Sequence, residues 1–265
     1  LLLAFTGEEK YFIQLDSEIC ILDKRTQQYY YDVLVPYQTV CLLDEKEKTA
    51  VETLKALNES LNLLDLRRSG TKEYYDSLKK AQGFINSQFY DKLCGKQEEG
   101  LVYCVGHTHI DCAWLWTTAI TKDKVIRSFS TVIELMKRYP EYRFMSSQPL
   151  LYQYVKEYAP DLYRQIKARI EEGRWEPDGG MYVEADCNLI SGESMARQFL
   201  YGQKFFQEEF DKVSKVLWLP DVFGYSPALP QIMKKCGIEY FMTTKLNWNE
   251  TNQFPYDTFI WEGMD

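Results

Sequence analysis

Residues 101–116 read LVYCVGHTHIDCAWLW, a short apolar run that turns abruptly into a polar H-x-H-x-D segment and then into aromatics. An apolar run of that length closed by Gly106 is the pattern of a strand buried on both faces, as parallel sheets require. Outward from it, helix-type and strand-type segments alternate. The spacing predicts helices over about 117–139, two across 149–172, and further ones over 192–210 and 228–236. Strands are expected at 101–106, from about Tyr142 to Met145, near Trp175, and in KVLWL, IEYFM and TFIWE. Such alternation argues for an α/β domain with a mostly parallel sheet, in which ligands gather at the carboxyl ends of strands.

Upstream the character changes. Residues 1–44 read as a β-rich appendage, through YFIQL, EICILD and YYYDVLV, whose aromatic and β-branched residues favour strands. Residues 45–99 read as a helical linker, with Val51, Leu54, Leu57, Leu61 and Leu64 at three- and four-residue steps. The polar segment KQEEG then marks a boundary, and residues 100–265 form the expected catalytic-type domain.

With 265 residues, 45% of them hydrophobic and 15% aromatic, the chain is able to bury a large core. A net charge of −8 with scattered Lys and Arg lacks the basic footprint of a nucleic-acid or anionic-lipid binder. The opening LLLAF is too short to span a bilayer and lacks the flanks of a signal peptide. A neutral polar ligand fits this balance. Seven cysteines without a CxxC pair point to free thiols and a reducing, cytoplasmic setting. The missing initial methionine and the stop at WEGMD suggest a piece of a longer chain.

The only two histidines, His107 and His109, fall together with Asp111. In extended backbone, side chains at i, i+2 and i+4 share one side, so the three groups converge where the first strand of the domain ends. Imidazole and carboxylate so placed suit Zn²⁺, and equally suit hydrogen-bonded core or turn residues. Trp114 and Trp116 follow directly, as sugar platforms or as core. Asp221, in KVLWLPDVFGYSP, stands at a strand end, either projected into a cleft or capping a turn. The Gly-rich loop EPDGGMYVEADCNLISGES carries Glu176, Asp178, Glu184 and Asp186. Acidic loops of this kind are usually solvated, which leaves room for one carboxylate to face the site.

Three blocks together resemble class II α-mannosidases, glycoside hydrolase family 38, and most closely their cytosolic and bacterial branch: GHTHIDCAWLW, GRWEPDGGMYVEADCNLISGESMARQF and WLPDVFGYSPALPQIMKKCGIEYFMTTKLNWNETNQFP. The resemblance implies a seven-stranded, mostly parallel β/α barrel and a metal-dependent retaining α-mannosidase that acts on terminal α-mannosides of glycans. It makes His109, Asp111 and Asp221 ligands of Zn²⁺ or Co²⁺, and makes Asp221 the nucleophile as well. Trp114 and Phe223 would contact the sugar, Lys245 would stand beside the nucleophile as its basic partner, and His107 would support a ligand without being one. The family's fourth ligand, a histidine, and its acid/base aspartate come later than residue 265, so the isolated chain is expected to be inactive. A homo-oligomeric parent is compatible with the family. Two other readings compete: a zinc-dependent carbohydrate deacetylase, from which a nucleophilic Asp221 discriminates, and a noncatalytic carbohydrate-binding module.

Overall fold

A computed structural model describes residues 21–94 and 102–264, which fall into two compact units, Leu1–Leu101 and Val102–Asp265. The expected strand YFIQL, the start of EICILD and the boundary segment KQEEG lie outside the described residues. Among those described, no helix is long and apolar enough to cross a membrane, and the six cysteines are all unpaired.

The first unit is helical where it is described. Residues 24–40, which include the expected strand YYYDVLV, form α1 (Lys24–Val40). Asp23 caps it by accepting from the Arg25 N–H at 3.1 Å, and Tyr29, Pro36 and Val40 are buried at helical spacing, with Val33 packed against the cluster that holds Tyr29. A helical stripe with something to pack on overrides the strand preference of aromatic and β-branched residues. Helices α2 (Lys48–Leu61) and α3 (Lys72–Ile85) follow as expected, and a π-helical stretch, Asn86–Cys94, continues α3.

The face that α2 buries is not the leucine stripe. Ala50, Thr53, Ala56, Leu57 and Ser60 are inside, whereas Val51, Leu54 and Leu61 are exposed. Small side chains permit close approach, and Ser60 secures it by donating to the Ala81 carbonyl at 2.9 Å while sharing a hydrogen bond with the buried Tyr29 hydroxyl at 2.8 Å.

The second unit alternates strands and helices. In order it comprises β1 (Gly106–His107), α4 (Thr118–Arg138), β2 (Phe144–Ser146), α5 (Pro149–Tyr158), α6 (Pro160–Glu171), β3 (Trp175–Pro177), α7 (Gly192–Phe210), β4 (Val216–Trp218), α8 (Leu229–Lys235) and β5 (Tyr240–Met242). The expected helices form within a residue or two, and Ser191 caps α7 through the Ser194 N–H at 3.2 Å. Among the described residues the strands make two small parallel sheets, β1-β2-β3 and β4-β5, linked by a parallel bridge between Gly179 and Leu217.

Two strand expectations fall short. The first strand is confined to Gly106–His107, and TFIWE has no ladder partner among the described residues, with Ile260 90% exposed. β-type sequence becomes strand only where a neighbour completes its hydrogen bonds.

One core, on the β1-β2-β3 side, centres on Phe129, Phe144, Tyr152 and Trp175, four fully buried rings meeting largely edge to face. Its polar atoms are satisfied internally: the Trp175 indole donates to the Tyr152 hydroxyl at 2.8 Å, and that hydroxyl donates to the Ser146 carbonyl at 2.8 Å. The other core gathers Met181, Phe199, Leu217, Leu219 and Leu229 around β4. Between them the chain passes through Gly179 (φ 137°), where a Cβ would meet the Ser147 Cβ at 2.6 Å. Only glycine fits so close a passage.

Candidate active site

Parallel strands all end on the same side, and that side holds the chemistry. β1 runs into His107 and His109, β2 into Ser147 and Gln148, β3 into the loop bearing Glu184, β4 into Asp221, and β5 into Lys245. Residues far apart in sequence therefore gather at one end of the sheets.

His109 is the centre of the arrangement. Its Nε2 lies 3.2 Å from Asp111 Oδ1 and 3.4 Å from Asp221 Oδ2, and ligand atoms of the three side chains lie within 4.8 Å of one another. Three acceptor atoms brought so close repel unless a cation sits among them. Burial alone would lower the His109 pKa, but Glu184 and Asp111 outweigh it and raise it to about 9. The same atoms fit a metal. Donors bound at ~2.1 Å in tetrahedral or octahedral array stand roughly 3.0–3.4 Å apart, a range that holds both His109 distances, and one imidazole nitrogen with carboxylate oxygens is a donor set for Zn²⁺ and its neighbours.

His107 plays a different part. The Trp218 indole N–H, which can only donate, points to His107 Nε2 at 3.2 Å. Nδ1 therefore carries the proton and donates to the Met145 carbonyl at 3.0 Å. Burial holds the ring's pKa below the usual value, in keeping with a neutral imidazole. With both nitrogens engaged, His107 ties the ends of β1, β2 and β4 together and has no free lone pair to offer.

Sequence reasoning did not single out Glu184 or Gln148. Of the four acidic residues in the Gly-rich loop, Glu184 turns inward, its side chain 5% exposed and its Oε2 2.8 Å from His109 Nδ1. Asp178 is not solvated either. Burial raises its pKa, while it accepts from the Gly179 N–H at 2.6 Å and from backbone at Lys215 and Val216, which ties the loop to β4. Asp186 caps its own turn through the Asn188 and Leu189 N–H groups, and Glu176 is exposed.

Gln148, buried in a left-handed conformation (φ 63°), joins the loop after β1 to the loop that bears Glu184. Its amide donates to the Ile110 carbonyl at 2.9 Å and accepts from the Glu184 N–H at 3.2 Å and the Cys112 thiol at 3.1 Å. A non-glycine residue at such a φ is a strain that functional sites often hold. Burial, with the charges of Glu184 and Asp111, pushes the Cys112 thiol up to about 12.

Asp221 has a second partner. The Lys245 ammonium, almost fully buried, meets Asp221 Oδ1 at 2.5 Å while lying 3.5 Å from the Trp248 ring centre and 5.0 Å from that of Phe223. Phe223 and Trp248 stack at 5.9 Å with 18° between their planes, both largely exposed. The cation thus rests under an aromatic wall beside the carboxylate. Trp114 is exposed on the loop after Asp111 and meets Trp116 edge to face at 5.7 Å. Trp116 in turn donates to Thr121 at 3.1 Å at the start of α4.

The family profile described as the Glycosyl hydrolases family 38 N-terminal domain matches residues 99–265. Alpha-mannosidase G of Dictyostelium discoideum is 40% identical over 249 residues, 94% of this chain and 22% of that protein. Alpha-mannosidase 2C1 of Homo sapiens is 38% identical over 264 residues, 100% of this chain and 25% of that protein. Alpha-mannosidase of Saccharomyces cerevisiae is 40% identical over 217 residues, 82% of this chain and 20% of that protein. The chain thus spans a quarter or less of the length of these relatives.

Proposed function

The chain belongs to glycosyl hydrolase family 38, and from that premise we propose that it carries the metal-binding and nucleophile-bearing part of a retaining α-mannosidase built on a seven-stranded β/α barrel. The observation that carries this reading is the double engagement of Asp221, whose Oδ2 faces His109 Nε2 while its Oδ1 is held by Lys245. When bound, Zn²⁺ or Co²⁺ held by His109, Asp111 and Asp221 would supply Lewis-acid coordination of the cis hydroxyl pair that distinguishes mannose from glucose.

The remaining steps belong to the protein. Asp221 attacks the anomeric carbon through an oxocarbenium-like transition state, the bond to the leaving oxygen breaks, and a glycosyl ester forms on the carboxylate. Lys245 holds the other carboxylate oxygen and so fixes the direction of attack. Phe223 offers its exposed face to the C–H side of the sugar, and Trp114 offers a second apolar surface. A general acid protonates the leaving oxygen as that bond breaks, and the same group, now the conjugate base, takes a proton from the water that hydrolyses the ester with retention. On the family's pattern that acid/base and a fourth ligand follow residue 265. The substrate is an α-mannoside glycan, and the setting is cytoplasmic.

The alternative, deacetylation of a sugar amide on activated water, has no use for a carboxylate placed to form an ester. The test is steady-state hydrolysis of an aryl α-mannoside by the longer parent polypeptide and its Asp221→Asn variant, with Zn²⁺ or Co²⁺ present. Loss of the nucleophile should lower turnover by at least ~10³-fold. Activity of Asp221→Asn within tenfold of the parent would sink the reading.

A further inference from the structure

Glu184 is fixed from two directions before it reaches His109. Its Oε1 accepts from the buried Ser147 hydroxyl at 2.6 Å, and its own N–H donates to Gln148 Oε1 at 3.2 Å. The remaining oxygen, Oε2, lies 2.8 Å from His109 Nδ1, short of good hydrogen-bond alignment, and neither atom has another partner among the described residues. Two bare acceptors at that separation would repel, and both are buried, where an unpaired polar atom is costly. A proton between them removes both penalties, and it resides on the ring nitrogen, the more basic of the two atoms. In the neutral ring the one remaining lone pair then lies on Nε2, the atom that faces Asp111 and Asp221.

We propose that Glu184 is a positioning residue, which holds the His109 proton on Nδ1 and turns the ring so that Nε2 enters the metal position between Asp111 and Asp221. The inference rests on the metal reading of the same cleft. Carboxylates that orient a ligating histidine in this way typically change metal affinity 10–100-fold when removed. His107 cannot stand in, because its nitrogens are committed to Met145 and Trp218.

The test exploits the presence of only two histidines. Side-chain ¹⁵N-edited NMR of the labelled 265-residue chain should show two protected imidazole Nδ1–H signals, one from each ring. In Glu184→Ala the His107 signal should persist, which reports an intact fold, while the His109 signal is lost. Calorimetric titration of the longer polypeptide, which supplies the fourth ligand, with Co²⁺ or Zn²⁺ alone should show affinity 10–100-fold weaker in Glu184→Ala than in its unmodified form. Glu184→Gln, which keeps a carbonyl acceptor, should recover the His109 signal and part of the affinity. A His109 signal unchanged in Glu184→Ala, or metal affinity equal to that of the unmodified form, overturns the proposal. A longer polypeptide that continues past residue 265, and so supplies the family's fourth ligand, yet binds neither metal overturns the metal reading and the proposal with it, and the proton signal distinguishes that outcome from failure of the Glu184 contact.

Discussion

Replacing Gly202 with alanine should destabilise the chain even though the position lies inside α7, where alanine is ordinarily the better residue. A Cβ there would meet the Gly180 carbonyl oxygen at 2.3 Å, the Met181 carbonyl carbon at 2.7 Å and the Tyr182 nitrogen at 2.9 Å. All three are backbone atoms, so no flexible side-chain end is available to swing aside. The loop is also tied to the same helix, since Tyr182 N–H donates to the Gln198 carbonyl at 2.9 Å and Val183 N–H to the Gln198 side chain at 3.0 Å.

Relief therefore means moving loop from helix by roughly 1 Å and straining hydrogen bonds worth ~0.5–1.5 kcal/mol each. Overpacking of this kind costs ~1–3 kcal/mol, and together these exceed the ~1 kcal/mol that alanine gains in helix propensity. A net loss of ~1–3 kcal/mol follows, or a drop in Tm of roughly 2–12 °C at ~2–4 °C per kcal/mol for a chain of this size. Thermal and urea unfolding followed by circular dichroism measure it. Gly192→Ala, at the start of the same helix with nothing within 4 Å of its Cβ, is the control and should be neutral or slightly stabilising. Equal stability of the two variants would refute the claim that the close approach of α7 to this loop requires glycine.

Tyr152→Phe leaves the Trp175 indole without its acceptor and the Ser146 carbonyl without its donor, so a shift of ~1–3 kcal/mol in urea unfolding is expected; a shift below ~0.5 kcal/mol would mean that other groups satisfy both atoms. At pH 8, alkylation followed by peptide mass mapping should label the exposed Cys41 and Cys104 quickly and spare Cys187, which is buried with its thiol pushed up to about 12; rapid labelling of Cys187 in the folded chain would contradict its burial. Because burial raises the Asp178 pKa in the folded state, the folded chain holds this proton more tightly than the unfolded one, so its contribution is fullest at low pH and is lost as pH rises through the raised value. The stability of Asp178→Asn relative to the unmodified chain should accordingly improve as pH rises, and a difference that stays flat across the carboxylate range would count against it. The 265-residue chain itself should show no measurable turnover of an activated aryl α-mannoside with added Zn²⁺ or Co²⁺. Turnover within tenfold of a longer polypeptide that continues past residue 265 would show that groups after that residue are dispensable.

Much was legible in the sequence because local periodicity is a local property. The helices of the second unit, the cap at Ser191 and the gathering of His109 and Asp111 at a strand end follow from spacing and from residue types that need no distant partner. Asp221 was visible as a carboxylate after a strand, and the resemblance gave it a role. Which face of α2 is buried was not legible, because Ala50, Thr53, Ala56 and Ser60 are chosen by how closely neighbouring helices approach rather than by their own hydrophobicity. Residues 29–35 went the same way: their composition suits a strand, and a capped helix with a packing stripe won. The acidic loop is the clearest case. Glu176, Asp178, Glu184 and Asp186 are chemically alike in sequence, yet one is exposed, one ties the loop to β4, one caps a turn and only Glu184 reaches His109. That choice depends on the path of the chain through Gly179 past Ser147 and on the seat of the loop against Gly202, long-range contacts that come into being only when strands distant in sequence lie side by side.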